Sequence, residues 1–310
     1  MRALALVALL AGVTGCGGGA VDGGWQQVAV PASVGATAVW SFGPADVWVG
    51  TEGVLHFDGR SWTEIATPTA GLVADFWGFA PDDLYAVSGV TLLRWDGAAW
   101  SALDFGGAIA PTDLQSVWGT SDDDLWIGDS LNSRVFHFDG TSWSTTIAET
   151  IDVEDLWGVS GGPGGPLFAC GIFGISRFAG GAWSAASGGV AAGGASGLWG
   201  FGAADVWAVG SAALAHWDGS AWTDTSPDPS TNFIVAAESV WGAAPDDVWA
   251  VGDLGSIDHW DGTAWSQILE GAFPYYPTLT KVHGSSVDDV WAVGVSTDGK
   301  NSGVVLHHAR

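Results

Sequence analysis

The chain has few basic residues, few charged residues of any kind and almost no cysteine. It carries 8 Lys and Arg against 34 Asp and Glu, a formal net charge of −26 over 310 residues. Because nucleic acids and anionic lipids bind basic surfaces, this deficit argues against both as partners. Only 14% of residues are charged and 47% are hydrophobic, which excludes a disordered acidic chain. Two cysteines exclude a framework of several disulfides.

A hydrophobic run long enough to span a bilayer is also missing. The N-terminal run Ala3–Val13 has eleven residues, whereas a spanning helix needs about 20. This length is typical of a signal peptide. The run ends in the sequence VTGC at residues 13–16, which resembles the bacterial lipoprotein box, where the peptide is removed before the cysteine and the thiol is acylated. An ordinary secretory signal is the alternative.

These N-terminal features predict an exported, lipid-anchored protein. The signal peptide covers residues 1–15, and Cys16 with the glycine-rich segment up to residue 24 forms a lipidated, flexible tether. Acyl chains at Cys16 attach a protein to a membrane without a spanning helix. We expect the anchor in the bacterial cell envelope, with the outer membrane or cell surface favoured over the inner membrane.

The chain does contain a sequence repeat in seven copies, at a spacing of 37 to 43 residues. It reads SVWGAAPDDVWAVG at 239–252 and, after a variable gap, HWDGTAW at 259–265. Alternating β-branched and aromatic residues between PDD and DG turns predict short antiparallel strands, and no helical apolar period persists. Four strands repeated at about 40 residues are typical of a β-propeller blade.

The two ends of the repeat array complement each other. The seventh copy stops at Arg310 before its fourth strand, and the segment 22–28, with Trp25, is a fourth strand without a blade before it. Joining them leaves no unpaired sheet edge. We therefore predict an all-β, seven-bladed β-propeller of four-stranded antiparallel blades over residues 25–310, closed by the N-terminal strand, and a monomer.

The 21 tryptophans all fall in four columns of this repeat. Many tryptophans can indicate sugar stacking, but a strictly periodic placement favours packing of large rings between blades. The informative positions for binding are therefore those outside the repeat.

Two further columns hold polar residues, to which we assign structural roles. An acidic residue precedes the second strand in six blades, at Asp46, Asp83, Asp124, Asp205, Asp247 and Asp289. A basic residue lies in the third strand of every blade, at His56, Arg94, His137, Arg177, His216, His259 and His307. We expect each His or Arg to hydrogen-bond an aspartate turn of its own blade. Collection of cations by the carboxylates is the alternative, but no segment has the ligand spacing of a metal site, and no metal or cofactor is predicted.

The DGxxW turn resembles the repeats of bacterial secreted lipoproteins built from VWGxxPDDVWAVG…HWDGxxW units, and the resemblance covers residues 25–310. It is distantly similar to the Asp-box of sialidase-like propellers, although Asp261 and Trp265 are four residues apart and the Asp-box spaces them five apart. The resemblance implies a propeller fold and leaves the activity open.

The sequence favours a non-catalytic binding or scaffold module for an unknown protein or glycan partner. The chain contains no nucleophile elbow, metalloprotease helix or phosphate-binding loop. A carbohydrate-active propeller enzyme, glycoside hydrolase or lyase-like, is the alternative function. The candidate ligand-binding residues cluster around the seventh blade, on the face opposite the aspartate turns, at Tyr275, Tyr276, Lys281, His283 and Lys300. A linker that merely covers the seam between blades six and seven is the other interpretation of this segment.

Overall fold

The computed structural model describes residues 24–31, 35–107, 110–148, 153–158, 167–186, 188, 194–210, 213–228, 237–269, 276–299 and 302–310. Within these ranges 28 β-strands form seven four-stranded antiparallel sheets. This arrangement confirms the predicted seven-bladed propeller. The predicted signal peptide and Cys16 lie outside the described residues. No helix within the described residues has the length and apolarity needed to cross a bilayer.

The first three blades run consecutively along the chain. Their strands are β2 (Ala38–Gly43), β3 (Asp46–Gly50), β4 (Val54–Phe57) and β5 (Trp62–Ile65); β6 (Val73–Ala80), β7 (Asp83–Ser88), β8 (Thr91–Trp95) and β9 (Trp100–Leu103); β10 (Leu114–Ser121), β11 (Asp124–Asp129), β12 (Arg134–Phe138) and β13 (Trp143–Ile147).

Blades four to six repeat the same order. Their strands are β14 (Asp155–Gly158), β15 (Leu167–Gly171), β16 (Gly174–Ala179) and β17 (Ala182–Ala185); β18 (Gly197–Gly202), β19 (Asp205–Val209), β20 (Leu214–Trp217) and β21 (Trp222–Asp224); β22 (Ala237–Ala244), β23 (Asp247–Gly252), β24 (Ile257–Trp260) and β25 (Trp265–Leu269).

The seventh blade combines the two ends of the chain. It contains β26 (Thr278–Ser286), β27 (Asp289–Val295) and β28 (Gly303–His308), and its fourth strand is β1 (Trp25–Gln27). Trp25 pairs with His308 and Gln27 with Leu306 in an antiparallel register. The Trp25 side chain is fully buried, so the closing strand adds both backbone hydrogen bonds and core packing.

The Asp and Gly residues of the Asp-Gly turns each have a local structural role. In the first blade, the Asp58 side chain accepts hydrogen bonds from the backbone N–H groups of Arg60 and Ser61, at 2.9 and 2.8 Å. Gly59 follows with a φ of +86°, and a Cβ there would lie 2.6 Å from the Ala45 Cβ. Aspartate and glycine are therefore both required by the turn.

Aromatic rings pack between neighbouring blades. Trp48 of β3 lies 5.1 Å from Trp95 and 5.9 Å from Trp100 of the next blade, measured between ring centroids. Trp25 of the closing strand meets Trp249 of blade six edge-to-face at 5.4 Å, and Trp62 of blade one meets Trp291 of blade seven edge-to-face at 6.2 Å, which closes the ring of blades. Each such pair contributes about 0.5–1.5 kcal/mol beyond the buried area. The periodic tryptophans thus hold the blades together.

The connections divide the molecule into two faces. The first and third turns of each blade, including the aspartate turns, form one face, which we call the Asp-turn face. The loops between second and third strands and the linkers between blades form the opposite face. There the seven inner strands begin, and they surround a central depression that we call the funnel.

Candidate functional site

The histidine and aspartate columns meet within each blade, near the Asp-turn face. The His Nε2 atom lies 2.8–3.0 Å from the Asp Oδ1 atom in five pairs: His56–Asp46, His137–Asp124, His216–Asp205, His259–Asp247 and His307–Asp289. In the first blade Trp48 Nε1 donates to the same oxygen at 3.0 Å and stacks on the His56 ring. Arg94 replaces histidine in the second blade, with Nε 3.0 Å from Asp83 Oδ1.

Hydrogen bonds from the same blade occupy each of these clusters, and neighbouring blades add others, such as the one from Ser41 Oγ to Asp289 at 2.9 Å. At Asp289, burial favours the neutral acid, but hydrogen bonds led by the one from His307 outweigh it and lower the pKa to about 2. Such an aspartate remains an anion that orients His and Trp side chains. In the fourth blade Arg177 instead lies over the rings of Phe168 and Trp217, at 5.8 and 5.5 Å.

The exposed aspartates of the third turns are likewise occupied by backbone groups. Turn hydrogen bonds lower the pKa of Asp58 and Asp96, and they lower it to about 2 at Asp139, Asp218 and Asp261. The described residues contain no group of three or more His, Cys, Asp or Glu side chains able to hold a metal ion.

The funnel is a concavity around the propeller axis with a volume of about 470 Å³. Every blade contributes the residue three positions before its inner-strand Trp or His: Thr37, Ala74, Gln115, Glu154, Ser196, Glu238 and Thr280. Loop residues such as Leu72 and Asp113 complete its wall. The wall therefore combines polar side chains, three carboxylates among them, with apolar ones such as Leu72 and Ala74.

The floor of the funnel is held by an ion pair between distant blades. Lys281 Nζ of blade seven lies 3.2 Å from Asp75 Oδ1 of blade two. Burial raises the pKa of Asp75 to about 6, although Lys281 opposes this. Burial also disfavours the charged amine of Lys281, but Asp155 and Asp75 outweigh it and raise its pKa. Asp155 accepts hydrogen bonds from Ser116 Oγ and Leu198 N, both at 2.9 Å.

Below the ion pair, seven aromatic side chains, one from each blade, form a circle that closes the axis. We call this circle the aromatic ring. His283 takes the seventh place beside six tryptophans, which are Trp40, Trp77, Trp118, Trp157, Trp199 and Trp241. It stacks on Trp40 at 4.0 Å, and its Nδ1 accepts a hydrogen bond from Ser41 N at 3.0 Å. Burial lowers the pKa of His283 to about 3, so the ring is neutral. The remaining axial cavity holds about 40 Å³.

The structure describes three of the five candidate ligand-binding residues and places them in different surroundings. Lys281 lines the funnel floor and His283 the aromatic ring. Tyr276 is 54% exposed on the funnel face, and its carbonyl accepts a hydrogen bond from Thr297 Oγ1 at 3.2 Å. Tyr275 and Lys300 lie outside the described residues. Cys170, interpreted from the sequence as a small buried hydrophobe, is fully buried, and burial raises the pKa of its thiol.

Exposed apolar side chains gather on the funnel face. Nine large hydrophobic residues of the described part of the chain are exposed. Eight of them belong to loops or strand ends of this face: Leu72, Val90, Leu131, Ile147, Ile172, Phe173, Leu254 and Tyr276. We call these eight the apolar rim. The ninth, Val287, lies in a turn of the opposite face.

Glu154, Glu238 and Asp113 of the funnel wall were not among the residues singled out by sequence. A signal for the two glutamates exists, because aligning the seven inner strands on their Trp or His puts them in one column. The residue type in that column differs from blade to blade, however, so the column is not part of the repeat pattern. Asp113 belongs to a loop of variable length and has no such signal.

No known protein family matches the chain, and no curated protein is detectably similar to it in sequence. Solved structures share its fold. YCF48 bound to D1 peptide is 14% identical with a TM-score of 0.69, covering 93% of this chain and 97% of that one. Virginiamycin B lyase from Staphylococcus aureus, with quinupristin, is 11% identical with a TM-score of 0.71, covering 92% and 99%. The RRP9 WD40 repeats are 12% identical with a TM-score of 0.73, covering 95% and 100%.

These likenesses place the chain in the β-propeller fold class. Identities this low establish the fold alone, since propellers of one shape carry unrelated activities.

Proposed function

We propose that the protein is a non-catalytic binding or scaffold module of the bacterial cell envelope, anchored through a lipid on Cys16 and holding a protein or glycan partner on its funnel face. The funnel carries this proposal. It is a concavity of about 470 Å³, which is within the range of ligand sites. It also lies on the face where the blades differ from one another, supported by a rigid repeated frame.

The groups nearest the axis support a binding role over a catalytic one. His283 is buried and neutral, and its Nδ1 is occupied by Ser41 N. Lys281 is held by Asp75, and the Cys170 thiol is buried with a raised pKa. None of these three groups is presented to the funnel as an activated nucleophile or base.

The fold neighbours support the same role. One is described as bound to a peptide, and another belongs to the WD40 propellers. A lyase is also among them, so the comparison by itself does not choose between binding and catalysis, and the proposal is based on the chemistry of the funnel.

Blocking the funnel tests the proposal. The full chain, kept in detergent micelles, is screened on a glycan array and against a phage-displayed random peptide library. Ala74→Trp places a bulky side chain in the funnel. Ala98→Trp makes the same change in the same blade on the opposite face, where Ala98 is exposed. We expect the binding to be lost in Ala74→Trp and retained in Ala98→Trp. Ligands that bind both variants equally would contradict the proposal.

The lipid anchor has its own test. Cells expressing the chain are labelled with radioactive palmitate, and we expect the label in the wild type and its loss in Cys16→Ser. An unlabelled wild-type protein would contradict the anchor without affecting the binding proposal.

A further inference from the structure

The funnel is acidic and its only basic wall residue is already paired. Among its described lining residues, Asp113, Glu154 and Glu238 are acidic, and Lys281 is the single basic residue. Lys281 is paired with Asp75 and also interacts with the buried Asp155. Adding these two carboxylates, five acidic groups surround one amine. The electrostatic field at the mouth therefore favours a positively charged ligand.

The glutamates of blades four and six act on each other across the funnel wall. Burial is the largest cause that raises the pKa of Glu238, and repulsion from Asp253 and Glu154 adds to it. Ser196, the residue between them in the ring, hydrogen-bonds Glu238 and opposes the rise. A cation between the two glutamates would relieve this repulsion, because each carboxylate would gain an opposite charge.

The surroundings of the funnel distinguish a polypeptide from a sugar. Glycan sites rely on aromatic faces, and the described lining of the funnel contains no aromatic side chain. Six of the eight residues of the apolar rim are aliphatic, and one of them, Leu72, lies in the funnel wall itself and is 50% exposed. Further out, Leu254 and Phe173 are 47% and 69% exposed on the same face. Exposed apolar residues that gather on one face are typical of a site that binds another protein.

This inference rests on the proposed function. We propose that the partner is a polypeptide that inserts a lysine or arginine side chain into the funnel between Glu154 and Glu238. Apolar residues beside that lysine or arginine pack on the apolar rim. The rim supplies the contact area, and the carboxylates select the basic residue.

Selection of peptides on the full chain in detergent micelles tests this assignment. Phage-displayed random dodecapeptides are selected on the wild type, and only those that bind Ala98→Trp but do not bind Ala74→Trp are sequenced. We expect Lys and Arg to be enriched over the starting library. A synthetic selected peptide should bind more weakly as NaCl rises, and replacing its Lys by norleucine should weaken binding by about tenfold or more, whereas Arg should substitute.

The variant Glu154→Gln/Glu238→Gln removes two charges from the funnel, and Asp96→Asn/Asp218→Asn removes two from the opposite face as a matched control. We expect a loss of affinity of about tenfold or more in the first and less than about twofold in the second. Thermal unfolding checks that each variant folds, and Glu238→Gln alone replaces the double variant if the latter melts lower.

Three outcomes are distinguishable. Basic peptides that depend on the two glutamates support the assignment. Funnel-dependent peptides without basic enrichment, or with unchanged affinity for the glutamine variant, overturn it and leave the proposed function standing. A selection that yields no funnel-dependent peptide overturns the polypeptide assignment, and the glycan array then decides whether the proposed function survives.

Discussion

Asp258 in β24 gives the sharpest prediction about pH and stability. It is 1% exposed in a column where other blades have Leu55, Phe136 or Leu306. Its Oδ2 accepts a hydrogen bond from Ser256 Oγ at 3.0 Å, and its Oδ1 has no partner of ordinary geometry within the described residues. Burial raises the pKa of Asp258 from 3.8 to about 7, and hydrogen bonding to its side chain offsets this only in part.

The sign of the effect follows from proton binding. Between pH 3.8 and about 7 the folded chain holds a proton on Asp258 that the unfolded chain has released. Stability contributed by this group is thus complete below pH 3.8 and is lost as pH rises to about 7. The difference between the two pKa values corresponds to about 4 kcal/mol, or roughly 10 °C in Tm for a domain of this size.

Asp258→Asn removes this ionisation while keeping a polar side chain of the same shape. We expect Tm of the wild type, measured by circular dichroism from pH 5 to 8, to fall relative to that of Asp258→Asn as pH rises. The difference between the two curves isolates Asp258 from other groups that titrate in this range, such as Asp75. Asp218→Asn is the control, because the pKa of the exposed Asp218 is lowered to about 2 and no titration occurs in the window. Parallel curves for the wild type and Asp258→Asn would refute the reasoning.

Three further substitutions test the frame by thermal or urea unfolding. Trp25→Ala should lower stability by about 3–5 kcal/mol because a buried ring in the closing strand is lost, whereas the exposed Gln26→Ala beside it should not; equal effects would contradict closure by β1. Lys281→Met should lower stability by about 3–5 kcal/mol because it leaves buried carboxylates unpaired, and Lys281→Met/Asp75→Leu should recover part of the loss; no recovery would argue against the pair. His216→Ala should cost about 1 kcal/mol through the bond to Asp205, and Thr223→Ala on the adjacent strand should be neutral; no loss in His216→Ala would remove the structural role.

The fold was predictable because each blade repeats the same physical solution. Alternating apolar residues recur in every copy and turn aspartates in most of them, so an irregular copy such as blade four can still be assigned from the others. Even the closure was accessible, since Trp25 had no blade of its own and the seventh blade lacked its last tryptophan. Fold class therefore followed from periodicity alone.

The funnel was less accessible to the same reasoning. Glu154 and Glu238 line the same funnel but are 84 residues apart in the chain. Lys281 and His283 departed from the repeat and so were singled out for ligand binding, yet the structure places both on the axis. There Asp75, over 200 residues away in the chain, compensates the lysine. A residue that breaks the repeat in one blade can thus be compensated by a residue that breaks it in another blade across the ring. This compensation is visible only in the closed structure.

The closing strand also sets the direction in which the disk is presented. Trp25 pairs with His308, the last residue of β28, at the end of the blade that belongs to the Asp-turn face. Gly24 therefore lies at that face. The tether that the sequence predicts would join the disk there, and we expect the funnel to open away from the point of attachment. We also expect the carboxylates of the Asp-turn face to be repelled by an anionic surface, which would keep the disk from lying flat on it.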